Sequence, residues 1–248
     1  MNEAHEVAEK ALDVAVEMWS QTGLTKNLGA LVSEVWRVNL ARYEPEELAD
    51  NARTLGFVCS ENLSGRVERL VRGHQYETEQ WSVAGLEVAR PQGALRMDLA
   101  GRHHYVMKAP MVYGRRPQWD SLVSWDAESN TRQTIAQVNT RALAGYRTPA
   151  PGQEGLFPIL VDGELGTVAN FMLVWAGDPS LPATAGWLTV PILGDVPFAA
   201  VRKLWWDDEM DTPVGVRRRG PEGPSFDEKS AVSPAVTLKP RPGRTGEA

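Results

Sequence analysis

The hydrophobic period of this chain changes once, near residue 80, and that change constrains the fold more than any other feature. Up to residue 72 apolar residues recur every three or four positions; beyond 80 they alternate or run together. Val7, Ala8, Ala11, Leu12, Ala15, Met18 and Trp19 make one stripe, and Leu28, Leu31, Val32, Val35 and Trp36 make a second. Gly23 stands where the first helix should end, because glycine enters positive φ at little cost. A third helix is expected from Glu44-Pro45-Glu46-Glu47, where proline loses no hydrogen bond and acidic side chains favour the positive helix end. It continues through Leu48, Ala52 and Leu55 and stops at Gly56. A fourth begins at a Ser60 cap and carries Leu63, Val67, Leu70 and Val71. Such short helices cannot bury a stripe alone, so they pack on each other or on the remainder of the chain.

From residue 80 the pattern is that of strands. Val83 to Arg90, Ala94 to Leu99 and His103 to Ala109 are short runs separated by Pro91-Gln92-Gly93 and Ala100-Gly101-Arg102. Leu95, Met97 and Leu99 alternate with Arg96 and Asp98, and an antiparallel hairpin turning near Gly101 is expected. Leu122 to Trp125 reads as another strand. Asp126 or Ser129 then caps a helix reaching Ala144, with Ile135, Val138 and Ala142 inward. Asn170 to Ala176 and Trp187 to Leu193 are apolar runs too short for helices, so buried strands are expected. Phe198 to Trp206 fits either a short helix or a strand. The last 42 residues hold 6 prolines, 5 glycines and one aromatic, too little apolar surface to offset ordering. The expected fold is therefore α+β, with a mostly antiparallel sheet and at least one packed helix. Its regions are a helical part over 1–75, a mixed core over 80–206 packed with it, and a disordered tail over 207–248.

Charge is segregated along the chain. The net charge is −6, which argues against general coating of nucleic acid or membrane, yet residues 80–147 carry 9 basic and 5 acidic side chains. This basic middle forms a footprint only if its arginines share a face; otherwise they merely sum. Arginine outnumbers lysine 20 to 6, as in a GC-rich bacterial or phage genome. No run approaches the apolar length of a membrane helix, and the acidic start of the chain does not read as a secretory signal. One cysteine, Cys59, fits a reducing cytoplasm and lies in an apolar context expected to be core.

The common chemical motifs are missing: no P-loop, no G-x-G-x-x-G and no G-x-S-x-G occurs. His103 and His104 look like metal ligands, but neighbours on a strand point to opposite faces and cannot share an ion. Asp126, Glu128, Asp162 and Glu164 are explained by a helix start and a turn. Asp98 ends one strand and Lys108 the next, after a helix containing Glu61 and Glu68 and before one holding Gln133 and Gln137. That order of helix, three strands and helix resembles the core of the PD-(D/E)xK nucleases. The resemblance implies a Mg²⁺-dependent nuclease using Asp98 and Lys108, with Glu87 or Glu68 as a further carboxylate. The sequence departs from the motif at Val106, two before Lys108, where an acid is required. An ion pair between Asp98 and Lys108 on the hairpin surface is the plainer reading.

Nine tryptophans are unusual, and Trp81, Trp119, Trp205 and Trp206 stand near charged or loop residues. Arg115-Arg116-Pro117-Gln118-Trp119 combines charge and an aromatic as binding hot spots and base-stacking surfaces do. The leading expectation is a cytoplasmic, non-catalytic interaction protein that binds a protein or nucleic-acid partner through Arg115, Arg116 and Trp119. It would need no metal or cofactor; Mg²⁺ enters only with the nuclease. A small-molecule-binding domain with an apolar pocket under the Asn170–Leu193 strands is a third expectation.

Overall fold

Gly23 divides the first two helices as the pattern predicts. In the computed structural model, which describes residues 3–75, 79–109, 129–144, 168–179 and 181–207, α1 spans Glu3–Gln21 and α2 spans Leu24–Leu40. Gly23 takes φ 72° between them, and the Thr22 hydroxyl donates to the Met18 carbonyl at 2.8 Å to close α1. Leu12, Ala15 and Trp19 of α1 and Leu28, Val32 and Trp36 of α2 are buried in one core.

The two helices expected over 44–55 and 60–71 are instead one. α3 runs unbroken over Ala52–Arg72, and Asn51 caps it, its Oδ1 accepting from the Arg53 and Thr54 amides at 3.0 Å each. Gly56 lies inside the helix for a reason unrelated to turns: a Cβ there would meet the Lys108 side chain at 3.3 Å. Ser60 is interior as well, its hydroxyl donating to the Gly56 carbonyl at 2.9 Å. Acidic residues after a proline can start a helix, but Asn51 supplies two backbone bonds and wins.

Six strands come next, in sheet order that matches chain order: β1 Glu87–Ala89, β2 Leu95–Leu99, β3 Arg102–Lys108, β4 Asn170–Gly177, β5 Thr184–Pro191 and β6 Phe198–Trp206. All pairs are antiparallel except β3 with β4, whose parallel pairing needs a crossover. α4, Asn130–Ala144, lies in that crossover. The architecture is α+β with a helical N-terminal part and a mostly antiparallel sheet. Phe198–Trp206, ambiguous in sequence, is a strand.

The sheet buries its two faces differently. One face packs Leu95, Met97, Phe171, Leu173, Trp175 and Leu188 against α1, α2 and α3. The other packs Met172, Val174, Ala185 and Trp187 against Ile135 of α4. β4 and β5 are covered on both sides, which is why their sequences run apolar without alternation, while β2 alternates. α4 turns Arg132, Ile135, Ala136, Asn139 and Leu143 inward, whereas Val138, expected inward, is exposed. Asn139 donates to the Asn170 and Pro191 carbonyls at 2.9 and 3.0 Å, so a polar residue holds the inward place. Ser129 caps the helix, accepting from the Arg132 amide at 3.2 Å.

Two indoles approach the sheet through glycines. A Cβ on Gly177 would lie 2.4 Å from the Trp36 ring, and one on Gly186 would lie 2.3 Å from Trp205. Trp36 Nε1 donates to the Asp178 and Leu181 carbonyls at 3.1 Å each, pinning the β4–β5 connection. Glycine inside a strand marks close approach rather than flexibility here. The described residues all belong to one compact unit, Met1–Thr212. The expected strand Leu122–Trp125 lies outside the described residues, as does all of the expected tail but Asp207.

Gly177→Ala and Gly186→Ala should each lower stability by about 1–3 kcal/mol or more through overpacking. Gly65→Ala, in α3 with nothing nearer than 3.9 Å, should raise it by about 0.5–1 kcal/mol. Urea unfolding of the three variants checks the contrast; equal shifts would refute the close-packing account.

Candidate functional site

The β2–β3 turn decides which side chains meet. Ala100 and Gly101 both have positive φ, 50° and 73°, and Leu99 pairs with Arg102, which makes a two-residue hairpin loop of the type that matches strand twist. That loop locks the register, and register assigns faces.

One row across the sheet reads Glu87, Asp98, His103, Asn170. Asp98 Oδ1 lies 2.6 Å from His103 Nδ1, and Arg96 donates to Oδ2 from Nη2 and Nε at 2.8 and 3.1 Å. Partial burial works to raise the Asp98 carboxyl, but the His103 and Arg96 bonds outweigh it and hold the carboxyl below its usual range. Arg96 is raised in turn, chiefly by the Asp98 bond. Glu87 is exposed beside this cluster. His103 keeps 41% of its side chain exposed with Nδ1 committed, an orientation that could serve a general base.

The next row reads Val88, Met97, His104, Phe171 and faces the helices. His104 is fully buried, stacked on Phe171 at 5.4 Å and tilted against Trp19 at 5.2 Å. Desolvation pushes its imidazole down to about 4 despite the Met97 carbonyl near Nδ1. The adjacent histidines thus face opposite ways, as strand geometry requires.

Lys108 shares the helix-covered face with His104. It pairs with Trp175 in register, and its Nζ stands 5.6 Å from the Trp36 ring centroid and 5.7 Å from that of Trp175. Burial lowers the amine to about 8. Asp98 and Lys108 therefore lie on opposite faces of the sheet, and neither the expected surface ion pair nor the expected metal cleft forms between them. Glu68 and Glu61 stand on α3, and Glu61 is bound to Arg90 at 2.8 Å. The structure brings together Glu87 and Asp98 and leaves Lys108 and Glu68 apart from them. Among the described residues no three His, Cys, Asp or Glu side chains are placed to hold a metal ion.

Four of the six described basic residues of 80–147 answer separate local needs. Arg90 binds Glu61, Arg96 binds Asp98, Lys108 is enclosed by indoles, and Arg132 is buried, donating to the Ile192 and Pro197 carbonyls. Arg115, Arg116 and Trp119 lie outside the described residues, as do Asp126, Glu128, Asp162 and Glu164. Trp81, Trp205 and Trp206, expected near the surface, pack against the two cores. Cys59 is buried as expected. The strands Asn170–Gly177 and Thr184–Pro191 contribute buried residues to both cores. Two described clefts lie elsewhere, one of about 450 Å³ beside Gly29, Ser33 and Trp205 and one of about 300 Å³ between α2 and α3. No helix among the described residues is long and apolar enough to cross a membrane.

No protein-family model, curated protein or solved structure matches the chain. The slot holding Lys108 had no local sequence signal, because its walls come from α2, α3 and β4.

His104 makes stability pH-dependent. Its folded pKa is depressed, so the unfolded chain takes up the proton first, and stability falls as pH drops from about 6.5 to about 4, by on the order of 3 kcal/mol. His104→Gln should flatten that slope in urea unfolding followed between these pH values; an unchanged slope would remove His104 as its source. Lys108→Met should raise stability at neutral pH, because the buried ammonium costs free energy until it deprotonates between about 8 and 10.5. The gain should shrink as pH climbs through that window.

Proposed function

We propose that this chain is a non-catalytic interaction domain that binds a protein partner at the surface where β3 leaves the sheet. The observation that supports this is Phe57, a helical aromatic 68% exposed to solvent, beside the partly exposed Val58. Their neighbour Gly56 touches the side chain of Lys108, the last residue of β3. Residues 110–128, which carry Arg115, Arg116 and Trp119, come directly after it in the chain. An exposed aromatic next to the root of a segment with two arginines and a tryptophan has the composition of an interface centre. Leu48, in the turns that precede α3, adds further apolar exposure at 69%.

A protein partner is favoured over nucleic acid by electrostatics. Nucleic-acid affinity rests on uncommitted cations facing phosphates, and Arg90, Arg96 and Lys108 are already occupied. The net charge of −6 also opposes a polyanion.

Co-purification of the tagged chain, before and after nuclease digestion, tests the reading alongside a gel series with labelled DNA and RNA in Mg²⁺ or EDTA. A protein partner should survive digestion. It should be lost, by about 30-fold or more in affinity, with Phe57→Asp and with the Arg115→Glu/Arg116→Glu/Trp119→Ala variant, at unchanged melting temperature. Mg²⁺-dependent cleavage abolished by Asp98→Ala would overturn the proposal in favour of a nuclease, and a salt-sensitive shift without cleavage would replace the protein with nucleic acid.

A further inference from the structure

We infer that Lys108 is a covalent attachment point for small carbonyl compounds, its ε-amine forming an imine with an aldehyde in the slot between Trp36 and Trp175. This goes beyond partner binding and does not depend on it. Three features of the packing carry it. The amine stands 5.6 and 5.7 Å from two indole centroids, whose rings meet edge to face with centroids 6.2 Å apart, so its surroundings are aromatic. The wall contributed by α3 is notched at Gly56, where even a methyl group would come within 3.3 Å of Nζ. Finally, Lys108 has no carboxylate and no hydrogen-bond acceptor among the described residues. Its titratable neighbour is Cys59, whose thiol burial pushes up to about 11 and so keeps neutral.

A lysine normally carries its charge out to water along its flexible stem. Lys108 remains in the slot, where the charged form is disfavoured and the free amine is the better-tolerated species. An unprotonated, desolvated amine is the form that attacks a carbonyl. Its lone pair bonds to the carbonyl carbon, a proton passes from nitrogen to oxygen, and loss of water leaves a C=N bond. Amine and aldehyde thus give imine and water, with no oxidant or reductant. The product is neutral, which suits the slot, and the indole faces favour a flat, apolar aldehyde. Lys108 retains partial exposure, so a reagent can reach it.

Benzaldehyde is a suitable probe. The full chain is incubated with it across pH about 6.5 to 9.5, the imine is trapped with cyanoborohydride, and benzylation of each lysine is read by peptide mass spectrometry. Lys108 should be modified about tenfold faster than the exposed Lys26 and Lys203 near neutral pH, with the excess lost in denaturing urea. Its rate should level off near pH 8. Modification of Lys108 at or below the rate of those two lysines, or a Lys108 rate that still rises at the alkaline end, would overturn the inference.

Discussion

The helix-covered side of the sheet depends on two tryptophans occupying space that two glycines vacate. Lys108, Trp175, Gly186 and Trp205 form a single row across β3 to β6. Gly186 lets the Trp205 ring lie flat over the row, and Gly177 lets Trp36 close its end. Trp205 also rests on Gly29 of α2, so one indole ties a helix to two strands. Large aromatic surfaces supply much of the burial energy of a core, but only where their rings find partners at contact distance. The glycines are therefore as much a part of this core as the indoles.

That same packing accounts for the polar groups in it. Trp36 meets its N–H requirement with two carbonyls of the β4–β5 connection. Thr184, fully buried, donates its hydroxyl to the Asp207 carboxylate at 3.1 Å, shares a hydrogen bond with the Ser33 hydroxyl at 2.8 Å and accepts from Trp205 Nε1 at 3.3 Å. The sheet end is thus closed by hydrogen bonds as well as rings. Lys108 differs, a charge-bearing group whose surroundings among the described residues offer π faces and no acceptor. Cation–π contacts soften that cost without matching a carboxylate.

Much of the fold was legible because local rules and tertiary packing agree in it. Gly23, the Gly101 hairpin, the Ser129 cap and the buried runs of β4 and β5 all accord with period and turn chemistry. Two departures come from contacts with residues far away in sequence. Gly56 looked like a helix end because its true partner, Lys108, lies 52 positions on. Val138 looked inward because a hydrophobic pattern cannot foresee that Asn139 is needed to satisfy two strand-end carbonyls. The candidate site was less legible for a related reason. The order of elements around Asp98 and Lys108 resembles a nuclease core, but a two-residue turn places the two residues on opposite faces, and only the paired register reveals that parity.

Charge behaves the same way. Nine basic residues within 80–147 look like a patch when read along the chain. In space, Arg90 reaches α3, Arg96 stays on its own strand, Lys108 lies beneath the helices and Arg132 lies beneath α4. Each answers a local need: an acidic neighbour, a carboxylate, an aromatic wall, or two loop carbonyls. Cations used in this way contribute little to a long-range field, since each is neutralised or desolvated where it stands. Phe57 and Val58 of α3 offer apolar exposure instead, an attraction that salt does not screen. The protein partner proposed for this chain would draw on that apolar contact rather than on charge.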